Sequence, residues 1–472
     1  MMRNPSRWAG GDHDDRQLGS RCLAVAVWFS VLMTAMFFSY YAIILLPLTV
    51  IATLMLGRSP DFFGLILGLL LSLSFSLFFN LGALPDFVFI VRLLLLSSIA
   101  IVCYRNRSAN LEYKTAAIWF ALFILTSAAS SFRTSMYVGI SETKILFCGL
   151  FIGGLLLGAR PSSGFPNVAL GVVGAIGFLS LFCYLFVPFI GYAFVLDPNA
   201  GREAAGKFSG IMNHPQLLAA ILAVNLPLML YAYVHKKGLV SWLGIGAFLA
   251  SLVLIAVSSS RTGLLASMAS CFCALYFFQK HAISPTARSR GISVAVGLFL
   301  VVCIGSIFAM DEVKAFIFKS VESGEGLNLS GREKIIAASW DAFLAKPFFG
   351  NGFQVPSDFT EHGSASFGLS SDSTSIEKCF FITMLLEEVG LVGTTLFLSM
   401  LWALFSQWRR KGSYVSIAAL VSFLVINTGE ACILSPSSIG GLCWLSIFAA
   451  HNLTFRPDEP GPRYDPDRRG LY

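Results

Sequence analysis

The chain has 472 residues, of which 56% are hydrophobic and only 12% charged, with a mean hydropathy of +0.74. Soluble globular proteins carry about 25% charged residues, so this composition excludes a water-soluble fold and implies an all-α polytopic membrane protein with about 12–14 transmembrane helices. The net charge of +7 forms no basic stripe interleaved with aromatics, which excludes nucleic acid as a partner.

In chain order, residues 1–22 are polar, too long for a signal peptide and without a small-residue cleavage site, so they read as a cytoplasmic tail. Apolar runs of spanning length follow at 23–39, 41–56, 62–79, 87–104, 115–130 and 143–158. The run 167–195 contains Pro188 and is expected to kink or tilt. Further runs lie at 215–234, 239–258, 263–279, 291–309, 380–404, 413–431 and 437–451. With the N-terminus inside, about 21 of the 33 Lys and Arg residues fall on the cytoplasmic side and about 11 outside, as the positive-inside rule requires. Arg92 falls within a span, where a charge is a functional suspect. The expected organisation is N-terminal helices over 23–195, a core over 196–404, C-terminal helices over 405–455 and a disordered cytoplasmic tail over 456–472. The ten cysteines lie mostly inside apolar runs as small hydrophobes. Cys271-Phe-Cys273 lacks ligand spacing, so no metal, cofactor or disulfide framework is expected.

The extracytoplasmic side carries two sizeable loops, 196–214 and 310–379, and connections as long as the second are uncommon unless functional. The second is expected to hold short helices. Arg202, Lys207, Arg261 and Arg332 all fall at or above the outer boundary. A guanidinium offers a planar fork of donors suited to phosphate, so several of them over an apolar bundle suit an anionic headgroup whose tail stays in the membrane. The plainer alternative is that each pairs with a neighbouring acid or with ordinary anionic lipid. Arg261 favours function, because it sits in the short turn of VSSSRTGLLA (257–266) with no carboxylate nearby in sequence. In the larger loop, SGREKIIAASWDAFLAKPFFGNGF reads as a helix starting near Ser330, with Ser330 and Glu333 as a capping box and Pro347, Gly350 and Gly352 at its end.

Four stretches together resemble the O-antigen ligase/polymerase superfamily of polytopic glycosyltransferases. They are GKFSGIMNHPQLLAAIL (206–222), VSSSRTGLLA, GREKIIAASWDAFLAKPFFGNGF (331–353) and LLEEVGLVGTTLF (385–397), in the family's order and spacing. One departure stands out. Ligases of the family carry a His-Asn pair nine residues before the glutamate of Glu-x-Gly, and counting back from Glu388 reaches Cys379 and Phe380. Polymerase-like members resemble SIEK here, which makes Glu377 the counterpart.

The resemblance implies a polyprenyl-pyrophosphate-linked glycan as donor, a glycan or lipid as acceptor, and membrane lipid and other polysaccharide assembly proteins as partners. The cell envelope is the setting: an inner-membrane enzyme whose active site faces the periplasm. On this reading Arg261 and Arg332 hold the pyrophosphate, Arg202 and Lys207 support them, and Glu377 is the general base. His214 and His362 are weaker candidates for the base or for glycan contact. His214 equally suits a helix cap, and His362 lies in a Ser- and Gly-rich stretch that reads as a mobile cover. Glu388 reads as structural, tying a helix end. The competing readings are a ligase and a transporter; the last would need charged or broken helices at mid-membrane.

Overall fold

The computed structural model describes residues 113–132, 138–158, 165–192, 207–212, 214–236, 238–281, 289–294, 297, 332–353, 380–435 and 439–454. The four expected spans between 23 and 104, with Arg92, lie outside these residues. The regular elements among the described residues are helices: α1 Lys114–Phe132, α2 Val138–Gly158, α3 Phe165–Phe186, α4 Pro188–Gly191, α5 Pro215–His235 and α6 Gly238–Val257. After them come α7 Arg261–His281, α8 Arg332–Ala345, α9 Phe381–Lys411, α10 Tyr414–Ile426 and α11 Ile439–Thr454. The expected spans in this part of the chain coincide with helices. Of 291–309, only residues 291–294 and 297 are described, and they are helical. By length and composition α1, α5, α6 and α9 are each able to cross a bilayer, as an all-α polytopic membrane protein requires. The predicted kink is a break: α3 stops at Phe186, and Pro188 opens α4, where its missing N–H costs nothing.

α5 is the hub. It packs against α3, α6, α7, α10 and α11, and Leu218 through Leu230 are buried without interruption. A helix apolar all round belongs inside a bundle. The amino group of its embedded amide is satisfied, since Asn225 Nδ2 donates to Ile221 O (2.8 Å) and to Ser446 Oγ of α11 (3.1 Å), whereas Asn225 Oδ1 is buried without a partner among the described residues. Ser127 and Ser131 of α1 return their hydroxyls to the preceding turn, to Phe123 O at 2.8 Å and to Ser127 O at 2.9 Å, so neither presents an unmet donor to lipid.

Cross-contacts sort the helix ends onto two faces. α1 and α9 run antiparallel: Trp408 Nε1 donates to Tyr113 Oη at one end (3.3 Å), and Ser130 Oγ donates to Glu388 O towards the other (3.4 Å). The Tyr113 face also holds the end of α5, whose carbonyls are capped by Arg290. Its guanidinium donates to Tyr233 O (3.1 Å), Lys236 O (3.2 Å) and Ser241 Oγ (3.3 Å). A cation suits the negative end of a helix.

Glu388 is buried at the end of the first segment of α9, two residues before Gly390, whose φ of 65° and ψ of −168° interrupt the helix. Glu387 is buried beside it, and Lys144 is half-buried within α2, so the spans hold further charged side chains.

Candidate functional site on one membrane face

The N-termini of α5, α7 and α9 lie on the face opposite Tyr113. α7 begins there because Ser259 takes a left-handed conformation (φ 53°), alone among the described non-glycine residues, and reverses the chain straight after α6. Ser260 Oγ then accepts from Gly263 N (3.2 Å) as the helix cap, which leaves Arg261 exposed at the first helical position. Gly263 lies against the start of α5; a Cβ added there would come within 2.5 Å of Ala219 Cβ. The start of α9 is tied in through Phe381 N, which donates to Asn427 O at the end of α10 (3.0 Å).

The loop after α10 completes the face and is built rigidly. Asn427 Oδ1 accepts from Cys432 N (2.8 Å) and Ile433 N (2.7 Å). Trp444 Nε1 donates to Ile433 O (2.9 Å), and Cys148 Sγ to Leu434 O (3.0 Å). Gly429 lies against Thr262, since a Cβ added there would come within 2.7 Å of Thr262 Oγ1. The next residue, Glu430, is half-buried and stands beside the turn that carries Arg261. Burial first, and then the charge of Glu430, push the Cys432 thiol up, so that thiol stays protonated and is no nucleophile.

The electrostatics favour an anion. Aligned peptide dipoles leave each helix N-terminus partly positive, with backbone N–H groups pointing outward. A cation at the first position of α7 opposes that dipole by about 0.3–1 kcal/mol. A bound anion offsets this cost, because Arg261 and the helix end then act on it together.

Lys207 and His214 reach the same face. Residues 207–212 fold onto α3 and α4, with Ser209 N donating to Gly191 O (2.9 Å) and Ile211 N to Ser180 Oγ (3.3 Å), and lead directly into α5. Lys207 is half-buried there. His214 is the cap of α5, its Nδ1 accepting from Gln216 N at 3.3 Å. His214→Ala should therefore cost about 1 kcal/mol, read as a lower melting temperature, and His214→Asn should restore it. Equal loss of activity in both variants at restored stability would show a chemical role instead. Arg332 is the first residue of α8, though its side chain lies outside the described residues, as do Arg202, His362 and Glu377 altogether.

Below this face the second loop is locked into α9. In an unbroken helix Leu391 and Val392 would donate to the carbonyls of Glu387 and Glu388. Instead they donate to Pro347 O (2.8 Å) and Phe348 O (3.2 Å), while Asn351 N and Gly352 N take over the Glu387 (2.8 Å) and Glu388 (3.0 Å) carbonyls. Ser130 Oγ also donates to Phe349 O, and Ser131 Oγ accepts from Phe353 N (3.2 Å). Two of the four sequence motifs are thus the halves of one lock, and it fixes where the loop ahead of Lys346 leaves the bundle.

Residues 219–376 match the family model described as O-antigen ligase. That stretch, about a third of the chain, is similar to the O-antigen ligase family; it contains Arg261, Arg332 and His362, ends one residue before Glu377, and leaves Arg202, Lys207, His214 and Glu430 outside. No curated protein and no solved structure matches the chain. Sequence reading passed over Glu430, which ends an apolar run and carries no motif; the available signal was an Asn-Thr-Gly-Glu turn between two spans.

Proposed function

We propose that the chain is an extracytoplasmic glycosyltransferase of the inner membrane that polymerises polyprenyl-pyrophosphate-linked repeat units into a surface polysaccharide. The observation that carries this reading is Arg261 at the first position of α7, inside the stretch that matches the O-antigen ligase model, on a membrane face where the N-termini of α5, α7 and α9 meet. An acceptor hydroxyl attacks the anomeric carbon of the donor, and the bond from that carbon to the pyrophosphate oxygen breaks. The polyprenyl pyrophosphate leaves with the electron pair. Arg261 and Arg332 take up its growing charge, with Arg202 and Lys207 in support, so guanidinium groups fill the role a metal ion has elsewhere. A carboxylate takes the hydroxyl proton. The sequence offers Glu377 for this, and the structure adds Glu430 beside the Arg261 turn.

Glu430→Gln keeps the shape and removes the base. We expect polymer to fall by about 10²–10⁴-fold, the span of general base effects, with unchanged protein in the membrane. Normal polymer from Glu430→Gln alongside loss in Glu377→Gln would return the role to Glu377.

The ligase reading is kept because the family model carries that description. Cys379 and Phe380, standing where ligases have His-Asn, favour polymerase. Disrupting the gene separates the two: loss of a polymerase leaves single repeat units, whereas loss of a ligase leaves long chains on the carrier lipid. Transport would be favoured by the broken helix and buried carboxylates of α9, but the break is filled by residues 347–353 through backbone hydrogen bonds. A transport site needs such a break to line a cavity.

A further inference from the structure

On the face opposite Arg261, a cleft of about 880 Å³ opens between α1 and α9. Lys114, Arg410 and Lys411 stand at its mouth, and Trp119 and Trp402 line its length together with Gln407. The cleft follows α9 from Lys411 to Thr395, about 24 Å at 1.5 Å per residue. That is deeper than a headgroup layer and reaches well into the hydrocarbon. Trp402 is 68% exposed, and Leu398, one turn before it on α9, is exposed as well, so the cleft opens sideways into lipid. The ends of the two helices bring the three cations together: Lys114 opens α1 and Arg410-Lys411 close α9, and the helices run antiparallel.

We propose that this cleft binds an anionic phospholipid of the leaflet opposite Arg261, with the phosphate at Lys114, Arg410 and Lys411 and an acyl chain along Trp402. Charge complementarity selects the headgroup. Basic pockets between helices are the usual receptors for anionic lipid phosphates, and a tryptophan at the membrane boundary suits both the polar and the apolar part. The depth of the cleft selects a lipid over a free phosphate, because a soluble anion would use only the mouth. None of these residues serves the reaction on the other face, so this binding is independent of the proposed function.

The test uses full-length protein in detergent, exposed to phosphatidylglycerol or phosphatidylcholine and examined by native mass spectrometry. The wild type should retain phosphatidylglycerol in preference to phosphatidylcholine. K114Q/R410Q/K411Q should lose that retention by roughly five-fold per cation removed, with an unchanged melting temperature in lipid-free detergent. Should the triple variant not accumulate, Trp402→Ala carries the test alone and should weaken retention with every charge in place. Equal retention by the variants overturns the proposal. So does a wild type without preference, as expected if residues 1–112 or a second copy fill the cleft. Glycerol phosphate stabilising the protein as strongly as the lipid would overturn the acyl-chain assignment.

Discussion

Arg261→Ala is expected to abolish polymer while the protein accumulates normally in the membrane. Removing one preorganised donor to a developing oxyanion costs about 3–4 kcal/mol, or 10²–10³-fold in rate. Stability should not follow, because Arg261 is exposed at the first turn of α7. Taking a cation from the positive end of a helix is neutral or slightly favourable. Function and folding are thereby separated at one residue. Arg261→Lys keeps the charge and loses the fork, so it should give intermediate activity. Arg332→Ala should match Arg261→Ala. The readout is the ladder of lipid-linked and surface glycans on a gel, beside a membrane blot; wild-type polymer from Arg261→Ala would remove the pyrophosphate assignment.

Gly390→Ala should have the opposite profile, with loss of folded protein and a secondary loss of product. At φ 65° and ψ −168° the backbone is in a region open essentially to glycine alone, which costs a residue with a Cβ about 1–3 kcal/mol. The added carbon would also sit 2.4 Å from Phe348 C and O, where the neighbour is backbone and cannot rotate away. Opening that contact disrupts four hydrogen bonds between α9 and residues 347–353, around Glu387 and Glu388, which are buried. A drop of at least about 3 kcal/mol follows, read as a lower melting temperature and reduced abundance. Gly350→Ala meets Glu388 and Val389 in the same way, at 2.4–2.6 Å. A Gly390→Ala protein with wild-type melting would show that the lock does not support the fold.

The membrane class and most helix boundaries were legible in the sequence, because a spanning helix must be apolar over its own length and therefore announces itself locally. Pro188 and the Ser-Arg-Thr-Gly turn were legible for the same reason: their backbone consequences fall within a few residues. The helix end near Glu388 was legible from the glycines that follow it, but the loop that fills the break was not, because its partner backbone at residues 347–353 lies elsewhere in the chain. Glu430 was silent, because nothing in its neighbourhood along the chain connects it to Arg261.

The amino-acid order by itself determined that this is a helical membrane protein, where its charged turns fall, and that its motifs resemble those of the O-antigen ligase/polymerase superfamily. The tertiary structure alone decided that the starts of α5, α7 and α9 share a face, that the Gly429-Glu430 turn lies against the start of α7 at Thr262, and that two glycine motifs interlock. The physical reason is one of range. Hydrophobic matching to a bilayer acts residue by residue along a segment, whereas a site and a lock depend on close backbone approach between segments that are far apart in the chain.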